Sequence, residues 1–296
     1  MMEKPTIKST LRAFLYLLPA LLIIAVFTIF PIIKSILISF YNKYDFFQDI
    51  VYERGVDSYV YLWNDPTFHL ALKNTFIFVI GVVPASIIIS LFIAILLNTN
   101  LKLRALFRTA YFIPFVTSVV AVSIVWRWIF HKEYGLLNYF LHLVGIDPIS
   151  WLTDPQWAMP SLIILSIWKG LGYNIIIFLA GLQNINEQYH LAAKIDGASA
   201  IKRFFYITVP LLSPTTFFVS IVSIIGSFKV FDEIYALFGG QPGPASSALT
   251  VVYYIFEKFY GEWNFGVASA AAYCLFMIIF ILTLVQLYIG KRKVTY

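Results

Sequence analysis

Residues 76–97 read FIFVIGVVPASIIISLFIAILL, 22 positions with no charged side chain. The apolar residues neither alternate, as on a half-buried strand, nor keep to one stripe, as on a helix of a soluble domain; they occupy every face. A helix of about 20 such residues matches the roughly 30 Å hydrocarbon thickness of a bilayer. Helix rather than strand follows because lipid offers no hydrogen-bond partner to an open backbone edge.

Five further runs of the same kind lie along the chain. With the quoted run extended to 72–97, the others fall at about 13–40, 107–130, 158–183, 205–231 and 265–290. The expected fold class is therefore an all-α integral membrane protein of about six transmembrane helices. Composition agrees: 60% of the 296 residues are hydrophobic and 12% charged, against about 45–50% and 25% in soluble domains, and mean hydropathy is +0.82. The first run follows Lys4, Lys8 and Arg12, like the basic end of a signal peptide. Its roughly 28 residues exceed a signal-peptide core and no clear cleavage site follows, so a retained span is expected.

The net charge of +6 does not imply nucleic-acid binding, because the basic residues form short clusters between apolar runs rather than one face. Twelve of them sit in alternate connections: Lys4, Lys8, Arg12; Lys102, Arg104, Arg108; Lys194, Lys202, Arg203; Lys291, Arg292, Lys293. The excess of Lys and Arg on cytoplasmic loops predicts that these connections, and both termini (1–12 and 291–296), are cytoplasmic, with the transmembrane body over 13–290. Cys274, the single cysteine, lies inside an apolar run, so no intrachain disulfide is expected. Trp126, Trp128, Trp151 and Trp157 near span ends read as an interfacial aromatic belt, and Pro19, Pro31, Pro84, Pro114, Pro210 and Pro214 predict kinks or entry points.

The segment 184–205, NINEQYHLAAKIDGASAIKRFF, is the least lipid-like stretch held closely between two spans. Tyr189, Ala192 and Ala193 share one helical face, and Asp196-Gly197 is a turn signal, so a short helix, a break and a second helix are expected. Ala192 through Ala198 (AAKIDGA), followed by Ile207-Thr208-Val209-Pro210-Leu211-Leu212, resembles the EAA loop of binding-protein-dependent ABC importer permeases. The motif's glutamate is Leu191 here, and Val209 replaces the leucine before proline. Further markers in the order of the carbohydrate-uptake permeases are Tyr59-x-x-Leu62, Asn74-Thr75, Tyr134-Gly135-Leu136-Leu137-Asn138, Trp168-x-Gly170 and Phe231-Asp232-x-Ile234-Tyr235 leading to Gly239-Gly240-x-Pro242.

The resemblance implies a type I ABC importer transmembrane domain in the cell membrane. It implies a coupling loop, 184–205, carrying Glu187, Leu191, Ala192, Ala193, Asp196, Gly197 and Ala198, which docks on a separate ATPase. The implied partners are a second permease subunit, two ATP-binding subunits that hold ATP and Mg, an extracytoplasmic substrate-binding protein and membrane lipid. No cofactor is expected in this chain. It also implies that spans four and five line the path of a sugar or oligosaccharide, glycerol phosphate being a further candidate cargo. Intramembrane polar groups are functional candidates by default, and sugar recognition needs polar groups beside an aromatic face. Trp168, Tyr173, Asn174, Ser223, Ser227, Phe228 and Lys229 supply both. Lys169 is a further such group, Lys229 and Asp232 are expected to neutralise each other three residues apart on one helix, and Asp232, Glu233 and the loop 239–247 are expected at the outer face.

No G-x-x-x-x-G-K-[ST] occurs, so ATP hydrolysis by that loop is excluded and the chain reads as a non-catalytic subunit. His69, His131, His142 and His190 lack metal-ligand spacing. Two other readings remain. An ion-coupled secondary transporter would use Lys169, Lys229 and Asp232 as a relay and carry an inverted repeat, which is not seen. A membrane-embedded enzyme would need an acid, base and nucleophile cluster, which is also not seen.

Overall fold

The computed structural model describes residues 7–99 and 104–293; Lys4, Lys102 and positions 294–296 lie outside the described residues. Helix begins at Ile7 and persists to Lys293, so it enters both stretches read above as tails. The chain divides into two compact units: residues 1–65 with 255–274, and residues 66–254 with 275–296.

In the first unit α1 (Ile7–Ile24) runs through a π turn (Ala25–Ile29) into α2 (Phe30–Ile38), the turn falling just before Pro31, which has no N–H to continue the helical ladder. A two-stranded hairpin follows, β1 (Tyr41–Asp45) and β2 (Ile50–Arg54), then α3 (Asp57–Asn64). The hairpin departs from a purely helical reading. Tyr, Val and Ile favour a pleated surface, and the turn is made by a carboxylate: Asp45 Oδ1 accepts from the Phe47 and Gln48 amides at 2.9 and 3.1 Å. Asp49 closes it in the left-handed region, accepting a hydrogen bond from Tyr44 Oη at 2.6 Å and an ion pair from Lys34 at 3.1 Å. That hydroxyl and then that ammonium hold the Asp49 carboxyl below the usual range, while burial, reinforced by Asp49, pushes the Tyr44 phenol up to about 12. Phe46 stacks on Phe265 with centroids 4.2 Å apart.

The second unit is built on α4 (Pro66–Leu97) packed along α8 (Pro155–Gln183), with α5 (Arg104–Val116) and α12 (Ser213–Phe228) also against α8. Its apolar core joins Ala94, Leu97, Ile175, Phe178, Leu179, Leu182, Leu212 and Val219. The buried hydroxyl of Ser90 is satisfied by the Ser86 carbonyl at 2.5 Å, the local way a polar group survives inside a span. α5 approaches α8 closely because residue 172 is glycine: a Cβ there would collide with the Tyr111 carbonyl oxygen and sit 2.9 Å from Phe112 Cα.

Among the described residues, four long apolar helices meet the length for crossing: Phe14–Ile38, Pro66–Leu97, Pro155–Gln183 and Phe265–Lys291, the last within α15 (Phe265–Lys293). The other two apolar runs are bent pairs. Leu106–Val116 meets α6 (Val119–Ile129) at 101°, and Ala200–Leu211 meets Ser213–Phe228 at 63°. The bends fall three residues after Pro114 and between Pro210 and Pro214, where the proline readings anticipated kinks, whereas α4 carries Pro84 without a break. The second pair contains α10 (Ala200–Arg203), a π turn (Phe204–Thr208) and α11 (Val209–Leu211).

Two of the sequence markers prove to be polar staples. Asn138, on α7 (Leu136–Leu143), is 3% exposed. It donates to the Lys132 and Ile149 carbonyls at 2.9 and 2.8 Å and accepts from the Ile149 amide and Trp151 Nε1 at 3.1 and 3.0 Å. Thr75 Oγ1 accepts from the Val251 amide at 3.0 Å and Asn74 donates to the Ser246 carbonyl at 3.2 Å, pinning the loop before α14 (Val251–Phe256). Asn138→Ala would orphan several buried groups at about 1 kcal/mol or more each. The expected result is a loss of about 3 kcal/mol, read as a lowered midpoint for heat-induced loss of the monodisperse, detergent-solubilised protein.

Candidate functional site

The mid-part of α8 turns a polar stripe inward: Ser166, Lys169, Gly170, Tyr173 and Asn174 recur at helical spacing and line a cavity of about 340 Å³. α4 adds Phe78, Val82 and Ser86, α5 adds Phe115, and α12 adds Val222, Ser223, Gly226 and Ser227. Lys229 and Val230 follow from the connection, and Glu233 from α13 (Asp232–Leu237). Tyr173 lies face to face with Phe115, centroids 5.1 Å apart.

Five of the seven proposed path residues therefore meet here: Tyr173, Asn174, Ser223, Ser227 and Lys229. Trp168 and Phe228 do not line it. Trp168 packs edge-on against Trp126 at 5.4 Å, and Phe228 is fully buried edge-on to Phe76 at 5.4 Å. The expected Lys229–Asp232 pairing on one helix is replaced. Helix α12 ends at Phe228, a new helix starts at Asp232, and the ion pair formed is Lys169 Nζ–Glu233 Oε1 at 3.6 Å. Glu233, expected at the outer face, thus contributes to the cavity. With both side chains about one-fifth exposed, the pair offsets charge without closing the site to water.

The cavity also holds polar groups with nothing to bond to. The Ser166 hydroxyl is buried without a partner, and the Asn174 amide and Ser227 hydroxyl, on buried residues, make no hydrogen bond among the described residues. Uncompensated buried polar groups are costly. The Tyr173–Phe115 pair gives the cavity an apolar wall.

The second candidate region is α9 (Glu187–Ile195) and the following α10. Asn186 caps α9 by accepting from the Gln188 amide at 3.0 Å, and Ser199 caps α10 by accepting from the Lys202 amide at 3.3 Å. Between them Asp196 ends the first helix and Gly197 turns the chain at φ +76°, the helix–break–helix that the sequence implied. Glu187, Leu191, Ala192, Asp196 and Gly197 are exposed, while Ala193 and Ala198 are half-buried. Leu191 and Ile195, one turn apart, are 51% and 86% exposed, so the ridge presented outward is apolar where the motif has an acid.

Residues 86–295 match the family described as "Binding-protein-dependent transport system inner membrane component". The chain is 39% identical over 287 residues to the lactose transport system permease protein LacF of Rhizobium radiobacter, covering 95% of each. It is 35% identical to the arabinooligosaccharides transport system permease protein AraP of Bacillus subtilis, over 93% of this chain and 87% of that one. Against the trehalose/maltose transport system permease protein MalF of Thermococcus litoralis it is 31% identical, over 95% and 94%. In fold it is similar to a chain of a bacterial ABC transporter involved in the import of the acidic polysaccharide alginate, with a TM-score of 0.84 at 23% identity and 98% of both chains covered.

Proposed function

The chain belongs to the binding-protein-dependent transport system inner membrane component family, and from that premise we propose that it is the permease subunit of an ATP-binding-cassette importer for a sugar or oligosaccharide. It is a multi-pass membrane protein whose task is transport rather than catalysis. The reading assigns the cavity on α8 to the translocation path and the α9–α10 pair to docking on a separate ATP-hydrolysing subunit. A second permease subunit completes the path, two ATPases hold ATP and Mg, and an extracytoplasmic binding protein delivers the cargo. Both termini, with the segments 1–12 and 291–296, are assigned to the cytoplasm.

The observation that supports the substrate class is the set of polar groups lining the cavity, Asn174, Ser223 and Ser227, beside the aromatic wall of Tyr173. Sugar hydroxyls both donate and accept and so answer an amide and two hydroxyls, while the ring's C–H face covers the aromatic. Charge argues against a dianionic cargo such as glycerol phosphate, since Lys169 is already paired with Glu233 and only Lys229 is left to meet two negative charges. In operation, closure of the ATPase pair displaces α9–α10, and α12, continuous with them through α11, carries that displacement to Ser223 and Ser227.

The primary test is co-purification of the tagged chain from its native membrane, with Ala192, Ala193 and Gly197 replaced by bulky charged residues in a second sample. An ATPase that accompanies the native chain and is lost with the loop variant supports the assignment. Ion-driven uptake by the chain alone, with no ATPase ever present, returns the secondary transporter. For the cavity, Asn174→Leu removes about 1–1.5 kcal/mol of hydrogen bonding to cargo. The expected result is a five- to tenfold rise in the sugar concentration for half-maximal uptake, about what that energy converts to, with ATPase co-purification unchanged.

A further inference from the structure

A separate cavity of about 420 Å³ lies in the same unit, where α9, α10 and the π turn after them meet the ends of α4 and α8. The alternation of basic clusters assigns this side to the cytoplasm. Arg203 and His190 line the cavity, and no Asp or Glu does. The Arg203 side chain has no ion pair or hydrogen bond among the described residues, and its Nε is buried without a partner.

The helix ends beside it cap themselves. The Ala94 carbonyl of α4 and the Ala180 carbonyl of α8 accept from the Asn98 and Asn184 amides at 2.9 and 3.2 Å, so neither is left to answer the guanidinium. A buried cationic donor with nothing to bond is costly, and the planar guanidinium fork meets two oxygens of an oxyanion at once. Asn98 after α4, His190 on α9 and Thr208 in the π turn add polar groups from three further elements. Donors spread over four elements suit a tetrahedral oxyanion better than a planar carboxylate. Leu182 and Phe204 extend the cavity with apolar surface, which leaves room for an organic group attached to the oxyanion.

We propose that this cavity binds a phosphoryl group, carried by a small cytoplasmic phosphate ester or by an anionic lipid headgroup, with Arg203 as its principal ligand. The bound group braces α9 and α10 against the ends of α4 and α8. Resting on the proposed function, that brace opposes the displacement of α9–α10 and so slows uptake: the site is a brake on transport, set by the phosphate chemistry of the compartment that receives the cargo.

The test measures calorimetric binding of glucose 6-phosphate to the full chain in phosphatidylcholine nanodiscs, without ATPases, whose nucleotide sites also take phosphate. The native chain is expected to bind it, and Arg203→Gln to bind about tenfold more weakly, since a charge-assisted fork is lost. Arg203→Lys keeps the charge without the fork and is expected to fall between them; it carries the test if the glutamine variant does not fold. Lys202→Gln, on an exposed neighbour that does not line the cavity, is expected to keep native affinity. If the ester does not bind but native mass spectrometry shows phosphatidylglycerol retained by the native chain and lost from Arg203→Gln, the occupant is a headgroup and the site stands. Binding of neither, or equal loss in Lys202→Gln and Arg203→Gln, overturns the site. In the whole transporter, the ester on the side of α9–α10 is expected to lower uptake by the native complex and not by the Arg203→Gln complex. Uptake indifferent to an ester that binds overturns the brake. The proposed function fails separately, through the absence of any ATPase, and that failure leaves the binding result on the chain alone unchanged.

Discussion

Replacing Gly197 with valine is expected, on the coupling role proposed for the 184–205 loop, to abolish most uptake while leaving the protein folded. No atom outside its own neighbourhood lies within 4 Å of where a Cβ would stand, so the substitution meets no steric wall. The cost is in the backbone. At φ +76° an L-residue is disfavoured by about 1–2 kcal/mol, and a β-branched one is worst placed to adopt the conformation. The turn relaxes toward negative φ, α10 swings relative to α9, and the pair no longer presents one docking surface. If that strain appears fully in coupling, uptake falls about tenfold, the factor that corresponds to 1.4 kcal/mol. Gly197→Asn is the control, since Asn visits the left-handed region more readily; it should retain most of the uptake. Equal loss in both variants, with ATPase still bound, would mean that the turn's conformation is not what couples the subunits.

The largest effect on stability is expected from Gly172→Val. Here the new atoms meet backbone, the Tyr111 carbonyl and Phe112 Cα, which cannot rotate away, so α5 and α8 must separate along their contact. Overpacking against fixed atoms costs about 3 kcal/mol or more, enough to deplete monodisperse protein from the membrane. Gly170→Val, two residues earlier, is the discriminating comparison: nothing stands within 4 Å of its Cβ position, but the residue lines the cavity on α8 to which the translocation path is assigned by proposal. Yield should survive in that variant and transport should suffer. The same yield from both would show that the close approach at 172 is not maintained in the membrane.

The apolar runs were legible because a bilayer imposes length and all-round hydrophobicity, and these two properties survive any detail of packing. The helix–break–helix of 184–205 was legible too, since caps and a left-handed turn are local chemistry: Asn186, Asp196-Gly197 and Ser199 each act within three residues. Long-range events were not. That α12 stops at Phe228, so that Glu233 reaches Lys169 and not the lysine nearest in sequence, depends on a break that no residue announces. Ser166 was within reach, because it stands one helical turn before Lys169 and Gly170 and two before Tyr173 and Asn174, the spacing of a single face. The β1–β2 hairpin escaped because its turn uses Asp45 and Asp49 instead of glycine, and its strands are only 5 residues each.

The break between α11 and α12 bears on how far a push can travel. Leu212 sits in it, 1% exposed, and is held in the core shared with α8; a Cβ on Gly181 of α8 would come within 2.9 Å of it. With its elbow filled in this way, the segment is built to turn as a bell-crank with its pivot at Leu212, if the proposed displacement of α9–α10 reaches it. The output arm is the 16-residue α12, about 24 Å long at 1.5 Å per residue. A rotation of about 10° at the pivot sweeps the tip of an arm that long through roughly 4 Å. That is more than the breadth of a hydroxyl group, and Ser227 rides near that tip. On the proposed function, a stroke of that size would be sufficient to break any hydrogen bonds that Ser223 and Ser227 make to a cargo in one movement, so release would not wait for thermal escape from each contact in turn.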